Sequence, residues 1–132
     1  MLLISCAAAA EEKDESPADC KKRIGSERRC FQYNANFHET LCGMMLTNAK
    51  INFQLGKPDA FAEYEKCGPD AKVSLRPFYD ALLVAVDGKP LAIIAAKKSM
   101  SAFIAIMKLP PGSLVLQNNL TTALAELEIE AP

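Results

Sequence analysis

Four cysteines set against two glycines constrain this chain more than any other feature in it. Cys20 and Cys30 lie five residues either side of Gly25, and Cys42 and Cys67 lie fourteen and eleven residues either side of Gly56. Glycine adopts the left-handed backbone that ends a helix at no steric cost. Helical hairpins folded at Gly25 and Gly56 therefore bring each pair nearly level, and the spacing favours the disulfides Cys20–Cys30 and Cys42–Cys67. Four cysteines permit three pairings. Cys30–Cys42 is excluded within one unbroken helix, where the rise per residue separates the two positions by roughly 18 Å. Cys20–Cys42 with Cys30–Cys67 stays open. Each bridge is expected to stabilise by roughly 3 kcal/mol, a large share of what holds a small domain together.

The rest of the pattern is helical. Ser16 offers an N-cap, Pro17 suits a first turn, and Lys21, Lys22 and Arg23 suit a last turn before Gly25. Ser26 caps a second, long helix. Its expected buried stripe, apolar except at Asn48, reads Cys30, Tyr33, Phe37, Leu41, Met44, Asn48, Ile51 and Leu55, at spacings of three and four. That stripe is expected to face the core. Gly43 and the run Asn34-Ala35-Asn36 are weak points that leave room for a break in this helix. Gly56-Lys57-Pro58 ends it, residues 59–66 form a short third helix, and Gly68-Pro69 breaks that one.

In the second half Val86-Asp87-Gly88-Lys89 lies between two apolar runs, a hairpin signal that makes strands at 81–86 and 91–96 the competing assignment. Those runs do not alternate with period two, and alanine, depleted in strands, recurs at Ala81, Ala85, Ala92, Ala95 and Ala96. Helices are therefore expected on both sides of Gly88. Pro77 kinks or starts the first, which carries Phe78, Leu82 and Val86. The second keeps Ile93, Ala96, Met100, Phe103 and Met107 on one face, with Lys97, Ser101, Ala105 and Lys108 opposite. Pro110-Pro111-Gly112 interrupts the chain. Ser113 caps a last helix with Leu116, Leu120, Leu124 and Leu127 inward. The fold class is all-α, a small helical bundle of antiparallel hairpins stapled by two disulfides.

Half of the 132 residues are apolar, enough for one modest core. Residues 17–132 read as a single helical domain. Ala7 to Ser16 has no apolar residue larger than alanine, so residues 1–16 read as a signal remnant with a flexible tether. A net charge of −1 gives the whole molecule no strong attraction to nucleic acid. No uncharged run reaches the roughly 20 residues that span a bilayer.

Leu3-Ile4-Ser5-Cys6 has two apolar residues, a small one and then cysteine. It resembles the lipobox of bacterial lipoproteins over residues 1–6. The resemblance implies cleavage before Cys6 and lipidation of Cys6, and it places the protein in the periplasm or at the outer membrane. Only five residues precede Cys6 and none is basic, unlike the family's leader. An Ala-x-Ala site at Ala8 to Ala10 fits plain secretion instead. Five cysteines in so short a chain are many for a reducing cytosol. Lys21, Lys22, Arg23, Arg28 and Arg29 crowd the Gly25 turn, just past the tether. They make a candidate membrane-facing patch for a lipid-anchored molecule.

Catalytic templates are sparse. His38 is the one histidine, so any Ser–His or Cys–His arrangement must use it. His38-Glu39-Thr40-Leu41-Cys42 resembles the His-Glu-x-x-His zinc hydrolase motif with its second histidine replaced. A third ligand is missing, and the cysteine spacings lack the close pairs of zinc sites, so no metal and no cofactor are expected. A small hydrolase using His38 and Glu39 is the alternative to a non-enzymatic helical module. Asn52 to Tyr64, with Gly56 and Asp59 in its turn, is similar to the hairpin of a tetratricopeptide repeat. It lacks the Trp-x-x-Leu-Gly opening and a second copy, and such repeats need several to bury a core. The function expected is that of a cell-envelope protein with an unidentified protein partner and a membrane surface beside it.

Overall fold

The computed structural model describes residues 15–108 and 114–131. Five helices occupy them: α1 (Pro17–Ile24), α2 (Glu27–Gln54), α3 (Ala62–Ala85), α4 (Pro90–Lys108) and α5 (Leu114–Glu130). No strand occurs among the described residues, and the Asp87-Gly88 segment is a helix-to-helix turn in which Gly88 has φ +78°. The caps expected at Ser16, Gly25 and Ser26 are formed. Ser16 Oγ accepts from Asp19 N at 3.2 Å, and Gly25, at φ +115°, donates its N–H to the Lys21 carbonyl. Ser26 Oγ then accepts from Arg29 N at 3.1 Å and opens α2.

Each helix packs on its sequence neighbour, α1 on α2, α2 on α3, α3 on α4 and α4 on α5, so the bundle is a succession of antiparallel hairpins. Both expected disulfides are formed. Cys20 and Cys30 join α1 to α2 with Cα atoms 6.0 Å apart, and Cys42 and Cys67 join α2 to α3 at 5.6 Å. Phe31, Leu75, Leu82, Phe103, Ile106, Leu120 and Leu127 are fully buried between the helices. Ser99 lies among them at no cost in unpaired groups, because its Oγ donates to the Ala95 carbonyl at 2.9 Å. α4 alone among the described residues is long and apolar enough to cross a bilayer, with a mean hydropathy of 1.5 over its window. In the bundle it buries Ala92, Ala95, Ala96, Met100, Phe103 and Ile106.

Three expectations about the first half need correction. The second helix is not broken: it runs as one 28-residue element through Asn34 and Gly43. The third helix does not stop at Gly68-Pro69 or restart at Pro77 but continues through all three to Ala85. Pro69 and Pro77 sit on the exposed side, as do Glu65 and Val73, four residues before each. The carbonyls left without an N–H partner by proline thus face solvent. Gly68 is buried, and a Cβ placed on it would come within 2.7 Å of the Met107 carbonyl oxygen. It is a glycine of close helix packing between α3 and α4.

The third correction concerns which face of α2 is inside. Phe31, Ala35, Cys42, Leu46 and Ala49 are buried there, whereas Tyr33, Met44, Ile51 and Leu55 are half exposed or more. Cys30 and Cys42 are twelve residues apart, so at about 100° per residue they leave the helix about a third of a turn apart. α3 packs on the Cys42 side along the helix. The Cys30 side is covered at its N-terminal end by α1, which is eight residues long. Beyond the reach of α1 the stripe that begins at Cys30 is half-buried at Phe37 and Leu41 and exposed from Met44 onward.

Candidate functional site

His38 and Glu39 stand side by side on α2. Consecutive helical side chains diverge by about 100°. The half-buried His38 ring meets Phe37 edge-on, with centroids 5.3 Å apart. Partial burial pushes the Glu39 carboxyl above its ordinary range. Cys42, the residue on the His38 face where a second zinc-binding side chain would stand, is committed to its bridge with Cys67. Among the described residues no group of three or more His, Cys, Asp or Glu side chains is placed to hold a metal ion.

Two concavities lie elsewhere. A hollow of about 250 Å³ sits beside the Cys42–Cys67 bridge, walled by Tyr64, Glu65, Gly68, Met107 and Lys108. Burial raises the Tyr64 hydroxyl above its ordinary value. A shallower groove of about 540 Å³ runs between α4 and α5, past Ile94, Lys97, Ala102, Asn119 and Thr122. Lys98 Nζ and Glu126 Oε2, 3.6 Å apart, bridge that groove. Neither hollow is lined by His38 or Glu39.

The five basic residues around Gly25 are not all on one surface. Arg28 is turned inward: its Nε donates to the Ala131 carbonyl at 3.1 Å and its Nη1 to Gln32 Oε1 at 2.9 Å. Lys21 is paired with Glu27 at 2.8 Å. Arg23 is paired with Glu15 at 3.0 Å, and its guanidinium lies 5.5 Å from the centre of the Tyr33 ring. Lys22 and Arg29 are exposed. Both ion-pair carboxylates, Glu15 and Glu27, are held below the ordinary range by their hydrogen-bonded partners. Cys6, the lipidation position expected from sequence, lies outside the described residues, as does the Ser113 cap.

What the sequence reading missed is the outer apolar surface. Tyr33, Met44, Ile51, Phe53 and Leu55 on α2, Val73 and Val84 on α3, Leu91 and Ile94 on α4, and Val115 and Ile129 on α5 are all exposed. The signal was present in one respect: α1 is too short to cover the length of α2. The segment similar to a tetratricopeptide hairpin is the α2–α3 turn. It uses Gly56 at φ +73° and Asp59 at φ +54°, and the Phe53 and Phe61 rings meet at a tilt across it with centroids 5.7 Å apart. No protein-family model, no curated protein and no solved structure matches the chain.

Proposed function

We propose that this chain is a non-enzymatic cell-envelope protein of bacterial lipoprotein type, a disulfide-braced helical module that binds another component through its outer surface. The observation that carries the reading is the set of large apolar side chains left outside the disulfide-braced bundle, Met44, Phe53, Leu55, Val73 and Val84 among them. Each is ordinary singly; such residues on one helix after another provide contact area. The two disulfides point to an oxidising, extracytoplasmic compartment. On this reading Cys6 carries the lipid, residues 7–16 are the tether, and the basic end at Lys21, Lys22, Arg23 and Arg29 rests near anionic headgroups. Arg28 has no part in it, being buried.

The test is fractionation of bacterial cells expressing the full chain, with labelled palmitate and thiol alkylation. The expected result is a membrane-associated protein with Cys20, Cys30, Cys42 and Cys67 protected from alkylation, and with label lost in Cys6→Ala. Recovery from the cytosol with those four thiols free overturns the reading.

A further inference from the structure

We infer that the open face of α2 is a self-association surface, on which the α2 helix of a second copy of this chain lies antiparallel. The inference rests on the proposed binding role only in taking the exposed side chains as contact area, and it names the partner for one part of it. From Phe37 onward the open stripe reads Phe37, Leu41, Met44, Asn48, Ile51, Leu55, with steps of four, three, four, three and four residues. Alternating steps of four and three are the spacing by which one helix seats against another along a shared seam. This series also reads the same in both directions. A two-fold axis at the level of Leu46 therefore places Phe37 opposite the partner's Leu55, Leu41 opposite the partner's Ile51, and Met44 opposite the partner's Asn48. Such a patch is complementary to itself, which is what a closed dimer of identical chains requires.

Three further observations favour a second copy over other occupants. Met44, Ile51 and Leu55 are 61%, 50% and 67% exposed, and Phe37 and Leu41 are half-buried, Leu41 against the core, so the seam is unfilled within the chain from Met44 onward and partly open before it. Between Cys30 and Gly56 the only charged residues are Glu39 and Lys50, and neither belongs to the stripe. The stripe thus meets its own copy without like-charge repulsion, whereas an anionic lipid surface or a nucleic acid finds no cation on it. α1 covers the same side of α2 from Cys30 to Tyr33, through the Cys20 bridge and the Arg23–Tyr33 contact. It occupies the seam up to the point where the partner helix ends and so blocks sliding of the register. The free face from Phe37 to Leu55 is roughly 27 Å long by the helix rise. A single helix pair of that length is at the small end of specific interfaces, so the association is a concentration-dependent equilibrium.

The test is sedimentation equilibrium of the full, oxidised chain over about a hundredfold range of concentration. Met44→Glu, Asn48→Lys and the double variant are compared with it, and circular dichroism verifies the fold of each. Wild type is expected to dimerise, and Met44→Glu to weaken dimerisation by about tenfold or more. The double variant is expected to regain it, because the antiparallel register sets each introduced carboxylate against an introduced ammonium. A wild-type chain that stays monomeric throughout overturns the inference, whatever else covers the stripe. So does dimerisation indifferent to Met44→Glu, and so does a double variant that stays as weak as the single one. These outcomes are independent of the fractionation result, which tests export and lipidation.

Discussion

Arg28 Nε donates a 3.1 Å hydrogen bond to the carbonyl of Ala131, a residue 103 positions away in the chain. The first turn of α2 thereby holds the last turn of α5. The guanidinium is buried and its second contact, Gln32 Oε1, comes from its own helix. Removing it leaves a buried carbonyl without a donor. Arg28→Met, which keeps most of the apolar stem, is expected to lose about 2 kcal/mol, the range of hydrogen bonds to charged groups. Urea denaturation measures the loss. Amide exchange should quicken first at the end of α5, where Ala131 N donates to the Leu127 carbonyl at 2.8 Å.

Gly43 and Gly68 are both interior to helices, and substitution by alanine should move stability in opposite directions. A Cβ on Gly43 meets nothing within 4 Å, so Gly43→Ala should stabilise by roughly 1 kcal/mol through helix propensity alone. A Cβ on Gly68 collides with the Met107 carbonyl, which is backbone and cannot rotate aside. Gly68→Ala should cost roughly 1–3 kcal/mol. Thermal melts of the two variants beside wild type decide the signs.

The two bridges should differ in weight. Cys42–Cys67 closes a sequence separation of 25 and Cys20–Cys30 one of 10. By chain entropy alone the longer loop contributes about 3.5 kcal/mol and the shorter about 2.7 kcal/mol. The paired variant Cys42→Ala with Cys67→Ala should therefore be the less stable of the two double-alanine proteins in denaturant. The reverse order would show that contacts of the short α1 helix outweigh loop length.

Glu39 should oppose folding at neutral pH. Partial burial raises its carboxyl above the ordinary 4.5, so the folded chain favours the protonated acid. The stability it contributes is full below that ordinary value and is lost as pH rises through its elevated folded value. Glu39→Gln should therefore be more stable than wild type at pH 7, with the difference shrinking as pH falls. Denaturation midpoints at several pH values measure this; a constant offset would assign the effect to helix propensity.

How far the fold could be read from sequence depended on whether its cause was local. Ser16, Gly25 and Ser26 act through bonds within a few residues, and each cap is where its residue type places it. On α5, Leu120, Leu124 and Leu127 are buried chiefly because α4 covers one face. The face of α2 could not be read the same way, since its main neighbours, α1 and α3, are of unequal length and lie on different sides. Cys30 marks the side of α1 and Cys42 the side of α3; extending the stripe from Cys30 followed the shorter neighbour. Gly68-Pro69 reads as a break by propensity, yet the glycine is set by a carbonyl on another helix, which no local pattern records. The resemblance of His38-Glu39-Thr40-Leu41-Cys42 to a zinc motif was local too, but Cys42 is likewise taken up by a partner on another helix.

Among the four cysteines of the helical body, each bridge joins consecutive ones. A chain entering an oxidising space N-terminus first presents Cys20, Cys30, Cys42 and Cys67 in that order. With Cys6 blocked by a lipid, as proposed above, an oxidant that couples each arriving thiol to the unpaired one before it makes the native set at the first attempt. Reshuffling, which takes seconds to hours where it is needed, is not needed here. Both crosslinks can close before Pro90 has been delivered. The α4–α5 hairpin, which carries no cysteine, then docks onto a half-molecule whose connectivity is already sealed.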